Sequence, residues 1–153
     1  MKQSDYHLMC KQIRSLAEIS DRYMPVLANA GAILYEGMDD LNWSGFYLVE
    51  DDHLILGPFQ GKFACVRIEK GKGVCGTAME KDETQVVADV HQFPGHIACD
   101  SASNSEIVIP LHSKGKVVAV MDIDSPVFDR FSREDEEGLS EFARTLEEIL
   151  RWE

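Results

Sequence analysis

This chain of 153 residues has few basic groups, no long apolar run and no closely spaced cysteine pair. Lys and Arg number 15 against 27 Asp and Glu, a formal charge of −12 spread without long single-sign blocks. Phosphate neutralisation needs a basic stripe, so nucleic-acid binding is not expected, nor is docking on an anionic membrane surface. The N-terminal MKQSDYHLMCKQ has no apolar signal core, and no stretch approaches the ~20 apolar residues that span a bilayer. A cytoplasmic location is therefore expected, in a compartment where structural disulfides are rare. Four cysteines stand at 10, 65, 75 and 99, and none forms a C-x-x-C pair. That spacing excludes a zinc knuckle or a thioredoxin-type motif, so any meeting of these thiols must come from the fold. No repeat or low-complexity segment is visible, and the length suits one domain, 1–153, with a real core.

Periodicity outlines the elements. Leu8, Met9, Ile13, Leu16 and Ile19 lie close to helical spacing over about 5–19. Asp21 is placed to cap a second helix through Leu34, with Pro25 early enough to be tolerated. WSGFYLVE (43–50), a turn at Asp51-Asp52 and HLILGPF read as a hairpin. ACVRIE (64–69) predicts another strand, GKGVCG leads into a short helix near 75–81, and QVVADV predicts a short strand. Residues 91–104 mix Pro, Gly, Ser and Asn and read as a long loop, a feature that is uncommon unless functional or disordered. SEIVIPLHS and KVVAVMDIDS form a hairpin turning at Lys114-Gly115. A last helix starts at Ser132, with Ser132 and Asp135 in a capping-box pattern and Leu139, Phe142, Leu146 and Ile149 on one face. Helices at both ends of a hairpin-rich middle give an α+β domain with a central antiparallel sheet.

The candidate chemical groups each carry a plain alternative. Cys99, in the polar loop, is a nucleophile if its thiol is made acidic; His96 helps and Asp100 opposes, and a buried loop thiol is the other reading. Cys65 alternates within the expected strand and, taken alone, reads as core rather than as catalytic. Cys75 follows two glycines at a helix start, where N–H groups favour an anion, or it is a small packing residue. Cys10, on the first helix and far from the loops, is structural or incidental. His91, His96 and Cys99 match no structural zinc spacing, and a Cys–His hydrolase built from His96 and Cys99 rests on proximity in sequence alone. Asp122 and Asp124, two apart in a strand, share a face opposite Met121 and Ile123, and hairpin pairing can bring Glu106 beside them. Three converging acids cannot all ionise cheaply, so one would stay protonated and could donate its proton; a solvated strand face is the alternative. Trp43 and Tyr47 share a strand face and can wall in a small apolar group such as an S-methyl, or simply be core.

Together these segments resemble the free methionine-(R)-sulfoxide reductases, which are stand-alone GAF domains. The resemblance is carried by NWSGFYLV, GPFQGKFACVRIEKGKGVCGTA, DVHQFPGHIACDSASNSEIVIP and MDIDSPVFDRFS, and covers most of the chain. It implies that Cys99 attacks the sulfoxide, that Cys65 resolves through a Cys65–Cys99 disulfide, and that Cys75 is a further exchanging thiol. It also implies that Glu106, Asp122 and Asp124 surround the sulfoxide and deliver protons, and that Trp43 and Tyr47 line the pocket. The implied substrate is the free amino acid, the implied reductant thioredoxin, the implied assembly a homodimer and the implied setting oxidative stress. No metal, flavin or haem is needed for such chemistry. Two other readings stand beside it: a GAF module binding a cyclic nucleotide or chromophore, and a thiol sensor that switches through Cys65 and Cys99 without turnover. Signalling GAF domains report to an output domain, and none is expected after the last helix.

Overall fold

The computed structural model describes residues 4–95 and 102–152. Asp5 accepts from the Leu8 N–H at 2.9 Å and so starts α1 (Tyr6–Ala17), which buries Met9, Cys10 and Ile13. The second helix, α2 (Tyr23–Gly37), runs beyond Leu34, and Asp21 does not cap it. Its N-cap is Arg22. Asp21 is instead engaged by the chain's far end: its carboxylate accepts from Arg151 Nε at 3.2 Å and its carbonyl from the Arg151 N–H at 2.8 Å.

Strands β1 (Trp43–Glu50) and β2 (His53–Gly61) form the expected hairpin, with Asp51 and Asp52 both left-handed at φ 51° and 64°. A two-residue turn that matches strand twist requires that conformation. The strand expected over 64–69 shrinks to β3 (Arg67–Ile68). The preceding residues leave the sheet because side chains claim their carbonyls: Trp43 Nε1 donates to Lys62 O at 3.1 Å, and the Tyr47 hydroxyl to Cys65 O at 3.0 Å. Helix α3 (Gly73–Lys81) begins two residues earlier than the sequence suggests. The expected QVVADV strand ends early as β4 (Gln85–Val87), since the Asp89 carboxylate accepts from the His91 N–H at 3.0 Å and opens a 3₁₀ turn over Val90–Gln92. Strands β5 (Ser105–Ser113) and β6 (Lys116–Ser125) turn at Lys114-Gly115, φ 53° and 76°. The capping box at Ser132 and Asp135 starts α4 (Arg133–Ile149) as expected.

The six strands form one antiparallel sheet in the order β3-β2-β1-β6-β5-β4. Alternation divides its two faces. Phe46 of β1, Ile107, Ile109 and Leu111 of β5, and Ala119, Met121 and Ile123 of β6 join the buried side chains of α1, α2 and α4 in the main core. Trp43, Tyr47, Val108 and Val120 point the other way, into a second cluster closed by α3. The α+β architecture expected from the sequence is thus the observed one, and the second face carries the polar site.

Candidate active site

Register builds the site. On β6, Asp124 lies between Trp43 of β1 and Glu106 of β5, and Asp122 lies between Gly45 and Val108. Side chains directly opposite in an antiparallel pair have Cβ atoms about 4.5–5.5 Å apart, so three carboxyl groups share one small area. Gly45 has to be glycine, because a Cβ there would collide with Phe59. The Phe59 ring stacks on Trp43 at 5.1 Å between centroids, and Trp43 in turn stacks on Tyr47 at 5.9 Å. The two indole and phenol hydrogen bonds to 62–65 then pin a loop that carries Phe63, 85 % exposed, to the rim.

The opposite wall is the start of α3. Gly71 and Gly73 take φ 81° and 63°, left-handed values that let the GKG turn deliver the helix to the cavity. Lys72, the N-cap, offers no side-chain cap. Cys75, in the first turn, is buried with Sγ 4.0 Å from Glu106 Oε2. Trp43, Tyr47, Cys75, Glu106, Asp122 and Asp124 line one cavity of about 50 Å³, together with Phe63, Ala64, Ile68, Lys72, Gly73, Val74 and Ser103.

The acids are not a solvated strand face: Glu106 is 7 % and Asp122 5 % exposed. Burial, followed by the charges of Asp122 and Asp124, pushes the Glu106 carboxyl well above the usual carboxylate range. Glu106 therefore holds its proton to higher pH than an exposed carboxyl does. Cys75 is buried, as its reading as a packing residue requires. Burial first, then Asp122, Glu106 and Asp124, raise its thiol, outweighing the helix N-terminus that favours an anion. Burial also raises the Tyr47 phenol, with the acids and Cys75 adding to it, so it remains a neutral donor. Asp122 Oδ1 is buried with no hydrogen-bond partner, a cost of about 1–3 kcal/mol that a donor from a ligand would relieve.

The structure thus brings six of the eight sequence-predicted site residues together. Cys65 is half-buried and disulfide-bonded, and packs against the edge of the second cluster, while Cys10 and Cys75 carry free thiols. Cys10 sits in the main core across the sheet. Cys99 and His96 lie outside the described residues. His91 accompanies Asp89, its Nδ1 2.8 Å from a carboxylate oxygen. Sequence reasoning missed Phe63, Lys72 and Ser103, the last held by a 2.9 Å bond from Asn42 Nδ2. The usable signals were the glycines of GKG and the placement of Phe63 two residues before Cys65. Among the described residues, Cys75, Glu106 and Asp122 are the group with ligand-type atoms mutually close enough, within 4.8 Å, to hold a metal ion.

A GAF-domain sequence profile matches residues 29–151. The free methionine-R-sulfoxide reductase of Escherichia coli is 59 % identical over 128 residues, covering 84 % of this chain and 78 % of that protein. The reduced-form structure of the Staphylococcus aureus fRMsr superposes with a TM-score of 0.94 at 50 % identity, covering 98 % of this chain and 97 % of that one. The free methionine-R-sulfoxide reductase of Neisseria meningitidis, solved in complex with its substrate, gives 0.90 at 43 % identity over 97 % and 92 % of the two chains. With a buried acid cluster facing two stacked aromatics on a GAF sheet, and relatives this similar over most of their length, the chain belongs to the free methionine-R-sulfoxide reductase family of GAF-domain proteins.

Proposed function

We propose that this chain, acting as one domain over 1–153, reduces free L-methionine (R)-sulfoxide to methionine by thiol chemistry. The observation that carries the reading is the buried Glu106 carboxyl beside Asp122 and Asp124, an arrangement that favours its protonated form, in a cavity walled by Trp43 and Tyr47. A sulfoxide oxygen leaves sulfur only as protonation proceeds, so a neutral acid at the pocket floor is the group such a reaction needs. The indole of Trp43 offers an apolar wall to the S-methyl. The pocket is acidic on its sheet side, while α3 presents its N-terminus and Lys72 on the other. That polarity suits a zwitterion, its ammonium toward the carboxylates and its carboxylate toward the helix start. An enclosed site also disfavours a methionine flanked by peptide chain on both sides.

In the proposed sequence Cys99 attacks the sulfoxide sulfur, the oxygen passes to Cys99, and methionine leaves with Cys99 as a sulfenic acid. The Cys65 thiol condenses with it, releasing water and forming a Cys65–Cys99 disulfide. A dithiol, with thioredoxin as the proposed donor, then returns both cysteines to thiols and is itself oxidised. The disulfide at Cys65, with Cys10 and Cys75 free, supports that pairing. Cys75 serves as a further exchanging thiol, and its raised pKa makes it a slow nucleophile compared with a thiolate. The cytoplasmic site and homodimer belong to the same proposal; among the described residues no helix is long and apolar enough to cross a membrane.

The test is to incubate the protein with dithiothreitol and the resolved R and S isomers of free methionine sulfoxide and to quantify methionine. Methionine from the R isomer alone is expected. None from R overturns the enzyme reading, and equal yields from both overturn its stereochemistry.

A further inference from the structure

The geometry points to a binding site for a zinc-like divalent cation made by the Cys75 thiolate and the carboxylates of Glu106 and Asp122. Their ligand-type atoms lie within 4.8 Å of one another, and all three side chains are buried. Zinc bonds of about 2.0–2.3 Å at tetrahedral angles separate ligand atoms by roughly 3.3–3.6 Å, so the 4.0 Å from Cys75 Sγ to Glu106 Oε2 closes with a small side-chain shift. An independent sign of a missing partner is Asp122 itself, 5 % exposed, lining the cavity, with Oδ1 buried and unpaired. A buried carboxylate oxygen without a donor is rare, and a cation is one of the few ligands that satisfies it.

The donor set selects the ion. One soft sulfur with two carboxylate oxygens suits zinc, whereas magnesium and calcium take oxygen alone. Cys75 and Glu106 release their protons to solvent as the ion binds, and a dication turns the mutual repulsion of the resulting anions into attraction. Three protein ligands leave a fourth position, which opens on the cavity of about 50 Å³ and can hold a water. The consequence for turnover rests on the function proposed above: the ion occupies the acids that would meet the sulfoxide, so zinc and substrate exclude each other. Zinc is then an inhibitor of this chain and leaves the Cys65 and Cys99 thiols of the proposed disulfide untouched.

The test uses the disulfide form, in which the free thiols are Cys10 and Cys75. Cobalt(II), a coloured stand-in for zinc, is titrated into chelator-free protein. The expected result is a thiolate-to-cobalt charge-transfer band saturating at one ion per chain and bleached by zinc. Cys75→Ser removes the band and Cys10→Ala keeps it. Asp122→Asn weakens binding at least about tenfold, since loss of even an outer partner costs that much at metal sites. No band in the parent protein, or a band that survives Cys75→Ser or is unchanged in Asp122→Asn, overturns the site. Competition by methionine (R)-sulfoxide is read separately. Mutual displacement ties the ion to the substrate pocket; a band indifferent to the sulfoxide leaves the metal site standing and overturns the placement of substrate there.

Discussion

The two faces of strand β6 carry adjacent residues with opposite duties. Met121 and Ile123 point into the main apolar core, closed by α1, α2 and α4. Asp122 and Asp124, one residue along in each case, point at Glu106, Cys75 and the aromatics of β1. On the first face burial lowers the free energy of the chain, by roughly 1.5–3 kcal/mol for each large side chain fully buried. On the second it raises it, since carboxyl groups lose water and repel one another. The strand can keep such a cluster because the opposite face holds it in place. Function is thus written on the face where the fold would be better off without these residues.

Losing the proposed attacking thiol gives the largest expected effect. Cys99→Ser removes methionine formation with any reductant, whereas Cys10→Ala, in the core face, leaves turnover per folded molecule intact. Cys65→Ser keeps appreciable turnover with dithiothreitol and loses most recycling by thioredoxin. Assays of the three variants with both donors check this set, and an active Cys99→Ser protein would break the assignment.

Next comes the proposed proton donor. Glu106→Gln is expected to lower kcat by about 10²–10⁴-fold, the usual worth of a positioned acid. The same variant folds normally and changes the dependence of stability on pH. The Glu106 carboxyl has a folded pKa above its unfolded value near 4.5. Its contribution is therefore fully present below that value and is lost as pH rises toward the raised folded one. Over that window the parent's Tm falls relative to Glu106→Gln; parallel curves would contradict the burial of this acid.

On the other face the order of effects reverses. Met121→Ala, at a fully buried position, should cost about 2–5 kcal/mol of stability by chemical denaturation while kcat of the folded fraction is kept.

The smallest effect lies away from both. His112 on β5 sits between Glu147 of α4 (Nδ1, 2.7 Å) and Asp82 at the end of α3 (Nε2, 2.6 Å). Burial lowers its pKa, but the hydrogen bonds to Asp82 and Glu147 outweigh that and leave it raised. Its contribution is present below the ordinary histidine value of 6.5 and is lost as pH rises through the folded one. His112→Gln should flatten that decline by under about 1 kcal/mol, as partly exposed pairs do. Differential scanning across the neutral range reads it.

Much of this division was legible as a pattern. Period-two alternation in MDIDS named the two faces, and the hairpin at Lys114-Gly115 put Glu106 opposite Asp124. The capping box at Ser132 was readable for the same reason, since local hydrogen bonds need no distant partner. What failed depended on partners far along the chain. Asp21 left its helix for Arg151, and residues 64–66 left the expected strand because Trp43 and Tyr47 took the carbonyls of Lys62 and Cys65. The setting of the Cys75 thiol was only half legible, because the helix start is local and visible whereas three acids from β5 and β6 are not. Phe63 and Ser103 line the site through loop placement, which no periodicity encodes.

The central physical claim is that the site face holds a neutral carboxylic acid at the pH where the core face holds the fold. Carbon-13 NMR of the Glu106 side-chain carboxyl, followed against pH, measures that proton directly. The expected result is a protonated carboxyl at neutral pH, with a midpoint well above 4.5. A midpoint at or below that value would contradict it.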